Sequence, residues 1–276
     1  MVVIPVLLYF AVFVYYPFLK NIIWMFQDYD YLSPPQFSGL KNLRHLFQDE
    51  HFFLALRNTL IITIVSTPIV IAISTLLATI LFNMKMGSTI IRSAVFSTYL
   101  VPTVVAAIIF KLWFGVESGF VNSIIRFLGF ERIPWLTDPF WAMACVVFLS
   151  VWKYIGYHTI ILLGGLSNID RQIYEAAKVD GAGKIKIFFS MTIPQLKPSL
   201  LYCLIFATIT YMRTYAETLV LTNGGPYRST TTIIMYMFDT AFNSLKVGYA
   251  ATIAITLFAI TLVISLIQMK VTKINE

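Results

Sequence analysis

Charge is what this chain lacks most. Asp, Glu, Lys and Arg make up only 12% of its 276 residues, and 58% are hydrophobic; soluble domains carry about 25% charged residues. A water-soluble protein this poor in charge could not cover its surface, so the composition implies lipid as the solvent. Cysteine is scarce as well. Cys145 and Cys203 each sit in an apolar stretch, which argues against a disulfide framework or a thiolate metal centre. The three histidines, His45, His51 and His158, have no second ligand at metal-binding spacing, so no metal is expected. No nucleophile–base constellation appears, so no catalytic residue is assigned and an enzyme is not expected. The formal charge of +7 comes without an aromatic-interleaved basic patch, which argues against nucleic acid. Lys and Arg gathered in loops facing the cytoplasm account for it. No Lys or Arg precedes Lys20, so the apolar opening reads as a first membrane helix rather than a secretory signal.

What is present is a set of long apolar runs. Segments of about 20 residues are needed to cross a bilayer, and six qualify: 2–26, 57–82, 91–114, 139–164, 198–221 and 246–269. The expected fold is therefore all-α, a polytopic membrane protein of six transmembrane helices forming one domain over 1–276. Residues 27–56 read as a polar loop with one short amphipathic helix, and 83–90 as a turn carrying Lys85 and Gly87. Gly and Pro mark 115–138 as an irregular loop, and Thr222-Asn223-Gly224-Gly225-Pro226 is a turn signal. Lys and Arg divide evenly between the two sets of loops. Their higher density in the shorter set favours a cytoplasmic N-terminus.

The loop 165–198 carries the most specific pattern. Asp170 is placed to cap a short helix reaching Val179. Asp180-Gly181 ends it, because Gly accepts the positive φ of a sharp turn. A second short helix follows through Phe188 and Phe189, and Pro194 and Pro198 restrict the path onward. Ala176, Ala177 and Ala182 form a small-residue stripe that another protein could approach. Gly181-Ala182-Gly183-Lys184 falls short of a phosphate-binding loop: Lys178 stands where the first Gly is needed and Ile185 follows the Lys. This chain is therefore expected to bind no ATP and no other cofactor.

This stretch resembles the EAA loop in permease subunits of bacterial ATP-binding-cassette importers. Glu175-Ala176-Ala177, Gly181, Ile193 and Pro194 stand at the pattern's positions, with Asp180 and Phe188 also matching; Asp170 stands where many relatives have Pro. Gly164-Gly165-Leu166, Trp152-Lys153, Leu221 to Pro226 and Gly248-Tyr249-Ala250-Ala251 are similar to the carbohydrate-uptake branch, of the maltose-transporter larger-subunit or glycerol-phosphate permease type. The resemblance covers about 1–270. It implies a multi-pass bacterial plasma-membrane protein with cytoplasmic termini and a cytoplasmic coupling helix between helices four and five. It implies that Tyr174, Glu175, Ala176, Ala177, Asp180, Gly181, Phe188 and Pro194 couple to an ATPase. It implies, as partners, a second permease, two ATPase subunits that carry ATP and Mg, and an extracytoplasmic sugar-binding protein. The function implied is alternating-access import of a sugar, a di- or oligosaccharide. Glycerol phosphate is the alternative within the family, and an ion-coupled secondary transporter outside it, for which no inverted repeat is visible.

Sugars are held by aromatic faces with polar groups beside them. Helix four offers Tyr154, Tyr157 and His158, and helix five offers Thr210, Tyr211 and Thr214. In maltose-type permeases the solute contacts fall on the corresponding stretches. Tyr154 and His158 lie four apart, Tyr211 and Thr214 three apart, so each pair is expected on one helix face. Tyr154, His158, Tyr211 and Thr214 are expected to line one cavity. Ionisable residues inside a membrane are costly, so Lys153 and Arg213 should face the bundle or water rather than lipid. Arg213 and Glu217 are spaced for an ion pair within one helix.

Overall fold

The computed structural model describes residues 3–84 and 87–273. Lys85, in the expected 83–90 turn, lies outside the described residues. Four helices cross a membrane's width unbroken: Ile4–Trp24, Glu50–Asn83, Pro139–Ser167 and Val247–Val271. Two further helix pairs are long and apolar enough only if each bent pair is counted as one span. Ser88–Leu100 meets Thr103–Trp113 at 94°, and Lys184–Gln195 meets Lys197–Met212 at 70°. The six apolar segments are thus all helical, but two are not the straight rods that length alone suggests.

Local chemistry accounts for the departures. The first span loosens into a π-helical turn at Ala11–Tyr15, just before Pro17. Proline removes an N–H and crowds the preceding turn, and a widened turn absorbs both. The second span is 34 residues, about 51 Å at 1.5 Å per residue, well beyond the ~30 Å hydrocarbon layer. It starts seven residues before the expected boundary because Asp49 caps it, accepting the His51 N–H at 2.9 Å. Two of its buried threonines satisfy themselves: Thr59 and Thr63 donate to the carbonyls of Ala55 and Thr59 at 2.8 Å each. This lets hydroxyls sit inside an apolar bundle. In the fourth span Asp138 caps through the N–H groups of Phe140 and Trp141, with Pro139 in the first turn.

The loops are more ordered than composition implied. Gln27–Asp28 pairs antiparallel with Gln36–Phe37, and the expected amphipathic helix is Lys41–Leu46. The 115–138 loop contains a helix, Phe120–Phe127. Buried Asn122 ties it down, donating to the carbonyls of Val116 and Ile133 and accepting from Ile133 N–H and Trp135 Nε1. Four hydrogen bonds to one side chain are a tertiary feature that Gly and Pro content cannot signal.

Close approach of the helices depends on glycine. Gly156 of the fourth span lies against the backbone of Val95 and Phe96 in Ser88–Leu100. Gly248, near the start of the sixth, lies against Gln27 O. The second and fourth spans run side by side, with Ser74 Oγ donating to Ile155 O at 3.0 Å.

On the side away from the 165–198 loop, Asp49 also accepts from Tyr236 Oη at 2.5 Å and from Tyr249 Oη. It joins the start of the second span to the sixth. Burial raises the pKa of its carboxyl, but the two hydroxyls and the N–H groups of His51 and Phe52 outweigh that, and the net shift is downward. A depressed carboxylate stabilises the fold above its unfolded value of about 3.9 and loses that contribution as pH falls through the lower folded value. Asp49→Asn is expected to lower thermal stability in detergent by about 1–3 kcal/mol at pH 7. The gap from wild type should close as both proteins are acidified below about pH 4. A constant gap across that window would contradict it.

Candidate functional site

The coupling-loop residues form a two-faced element. Arg171–Val179 is helical, and Asp170 Oδ1 accepts the Gln172 N–H at 2.9 Å, as expected of the cap. Gly181 has φ +75°. Asp180 N–H reaches Ala176 O at 3.0 Å, and Ala182 N–H reaches Ala177 O at 2.9 Å. The second bond spans six residues and marks a left-handed C-terminal cap. The inner face enters the bundle. Ile173 and Tyr174 pack on a core of Leu162, Leu163, Leu166 and Leu196, and Tyr174 Oη lies 3.4 Å from Thr192 Oγ1. The outer face is open: Glu175, Ala176 and Asp180 are exposed, as are Val179, Ile185 and Phe189.

Two expectations are corrected here. The three alanines do not form one stripe: Ala177 is turned inward and buried while Ala176 faces out. The second short helix does not stop near Phe189. It runs Lys184–Ile187, widens into a π-helical turn at Phe188–Thr192, and resumes as Ile193–Gln195. Phe188 is half-buried and Pro194 exposed. Pro194 follows that widened turn, as Pro17 does in the first span, and the widening absorbs its missing N–H, so the chain stays helical up to the 70° bend.

The solute-site residues are brought together only in part. Tyr154 and Tyr211 meet edge to face at 5.7 Å between ring centroids. Tyr211 is nevertheless buried, with its hydroxyl 3.4 Å from Ser150 O. Thr210 is half-buried. Thr214 is buried beyond the helix end, its carbonyl accepting from Thr232 Oγ1 at 2.8 Å. His158 is fully buried behind Tyr157 and Phe206, whose centroids lie 5.5 and 5.9 Å from its own. It therefore does not share an open surface with Tyr154, although four residues separate them. Tyr99 also joins this region, 6.1 Å from Tyr154 and 5.0 Å from Tyr157. No sequence spacing could have found it, because the bend after it sets its position. Phe206, stacked on Tyr157 at 4.5 Å, follows Tyr202 by four and was in principle legible on the fifth helix.

The intramembrane charges divide. Lys153 is buried as expected, and its ammonium donates to the carbonyls of Tyr99 at 2.7 Å, Thr98 at 3.5 Å and Val101. These carbonyls end Ser88–Leu100 just before Pro102. Arg213 is exposed. It forms no ion pair with Glu217, because the fifth helix stops at Met212 and restarts at Ala216. Among the described residues the ion pairs are Lys41–Asp28 and Arg132–Glu117, both outside the spans. Glu217 is buried in the first turn of the restarted helix, where a carboxylate suits the free N–H groups.

Two apolar grooves lie elsewhere. One, of about 820 Å³, runs between the second and fourth spans past Arg57, Val65, Ile69 and Phe148. The other, of about 490 Å³, lies between the fifth and sixth spans, with Arg213 among Ile209, Leu257 and Phe258. Neither is lined by Tyr154, His158, Tyr211 or Thr214.

Residues 70–273 match the family model described as binding-protein-dependent transport system inner membrane component. The chain is 33% identical to a sulfoquinovosyl glycerol transport system permease protein of Agrobacterium fabrum, over 99% of this chain and 89% of that one. It is 36% identical to a lactose transport system permease protein of Rhizobium radiobacter, over 96% and 91%. Its fold is similar to that of a chain in the solved bacterial alginate ABC transporter complexed with alginate pentasaccharide-bound periplasmic protein. The TM-score is 0.85 at 22% identity, covering 97% of this chain and 91% of that one.

Proposed function

The chain belongs to the family of inner membrane components of binding-protein-dependent transport systems, and on that premise we propose that it is half of a saccharide import pathway. The relatives named for sulfoquinovosyl glycerol and lactose transport support a saccharide. A second permease supplies the other half, two ATPase subunits bind ATP and Mg, and an extracytoplasmic binding protein delivers the solute. The termini and the 165–198 loop are cytoplasmic.

The observation that carries this reading is the two-faced helix Arg171–Val179. Its inner face is locked to the ends of the second, fourth and fifth spans through Ile173 and Tyr174. Its outer face offers Glu175, Ala176 and Asp180, with Phe189 nearby, to a partner. An ATPase moving that face would move three spans together. Phe188 and Pro194 support it from the following helix. In this reading the less buried Tyr154 and Thr210 meet the solute, while Tyr211, His158 and Thr214, which are buried, support them from behind. A phosphate-bearing solute has less support, because Lys153 is spent on backbone carbonyls.

The test is ATP-dependent uptake of labelled saccharides by vesicles holding the assembled complex, with and without binding protein. Uptake that requires both ATP and binding protein is expected; uptake driven by an ion gradient alone would overturn the reading. Orientation is read separately. A Cys at position 184 should resist labelling from outside intact cells, while Cys at 33 or 223 should label.

A further inference from the structure

We propose that Lys153 is the positioning residue of the transport cycle. It holds two helix breaks in register so that the outer parts of the third and fifth spans swing as one body. This rests on the transport reading above and goes beyond it by naming the pivot.

Both breaks are reached from one level of span four. Span four, unbroken over Pro139–Ser167, touches both with consecutive residues. Lys153 binds the carbonyls at the third-span elbow, Thr98, Tyr99 and Val101. Tyr154 meets Tyr211, one residue before the fifth helix ends at Met212. Glu217, just past the fifth-span break, is buried within electrostatic reach of Lys153 and Tyr154. The outer segments, Thr103–Trp113 and Ala216–Thr222, pack against each other. The inner segments are held elsewhere. Ser88–Leu100 lies on span four through Gly156, and Lys197–Met212 packs on the second and sixth spans.

Each break frees backbone groups that lipid cannot satisfy. At the fifth span, Thr232 Oγ1 takes the carbonyl of Thr214 and Thr218 Oγ1 that of Tyr215. At the third span a single ammonium takes all three carbonyls. It is a compact charge with three donors on a flexible stem, so it can follow the carbonyls as the elbow angle changes. A helix C-terminus also favours a cation. Glu217 lies within electrostatic reach of the ammonium, so charge links the two breaks as well as hydrogen bonds.

The experiment uses the assembled complex carrying Lys153→Met or Lys153→Arg. Spin labels at exposed positions 90 and 112 flank the elbow. In the parent and in Lys153→Arg, two discrete label distances are expected, exchanged by ATP trapping. In Lys153→Met, one broad distribution is expected. Uptake per folded complex should fall about tenfold or more, a loss of about 1.4 kcal/mol in coupling, while ATP hydrolysis continues. The pivot is overturned if Lys153→Met shows normal uptake per folded complex, even with a lower melting temperature. It is also overturned if its label distances still switch as in the parent. The distance measurement requires no solute, so it stands or fails apart from the saccharide reading.

Discussion

Gly181→Val is expected to leave a folded, inserted permease that no longer couples ATP hydrolysis to uptake. Gly181 sits at φ +75° with open space around it: a Cβ there would meet nothing within 4 Å. The penalty is therefore purely conformational. An ordinary L-residue in this region costs about 1–2 kcal/mol, and a β-branched one is a genuine outlier there. The left-handed turn closes the Ala182-to-Ala177 bond. Losing it frees the end of Arg171–Val179 from the chain that follows, while the hydrophobic anchors of the bundle stay intact. The expected order of uptake is Gly, then Asn, then Ala, then Val, because Asn tolerates left-handed backbone better than Ala. Uptake and ATP hydrolysis measured on one purified preparation check this. Full uptake in Gly181→Val would remove the coupling role from this turn.

The second large effect is expected at Gly156, and it should be a loss of fold rather than of coupling. A Cβ there would lie 2.2 Å from Val95 O and 2.9 Å from Phe96 Cα. Both are backbone atoms of a helix, so no side-chain rotation relieves the overlap. Ser88–Leu100 would have to back away from span four, pulling its terminal carbonyls from Lys153. Overpacking costs about 1–3 kcal/mol or more, and each carbonyl left unpaired adds about 1–3 kcal/mol. Gly156→Val should therefore give little monodisperse protein in detergent, and Gly156→Ala a clearly lowered melting temperature. Gly164, on the same helix, is the control: nothing lies within 4 Å of its Cβ position. Gly164→Ala should be neutral or stabilising by up to about 1 kcal/mol. Equal behaviour of the two Ala variants would contradict the close-approach argument.

The candidate site was legible where function depends on local chemistry. Asp170, Glu175 and Gly181 announce a capped helix, an exposed acid and a left-handed turn, and each occupies that role. The pairing of Tyr154 with Tyr211 was legible because both belong to helices that must pack. The error at His158 has a physical cause. Four-residue spacing places it over Tyr154 on a bare helix, but Tyr157 and Phe206 cover it, and covering is decided by neighbours. Arg213 and Glu217 fail for a related reason, since a four-residue spacing has meaning only along an unbroken helix.

What the sequence determined by itself is the membrane class, the six apolar crossings and the turn at Gly181. Partition into lipid is a sum over neighbouring residues, and a left-handed turn needs only the right residue at one place. Tertiary structure decided how the crossings break. Pro102 marks the third-span break, yet its 94° angle is held by an ammonium more than fifty residues away. The break at 213–215 contains neither Pro nor Gly, and Thr232 sustains it from eighteen residues on. Inside a membrane a helix can break only where something takes the freed carbonyls, and chain proximity does not reveal that partner.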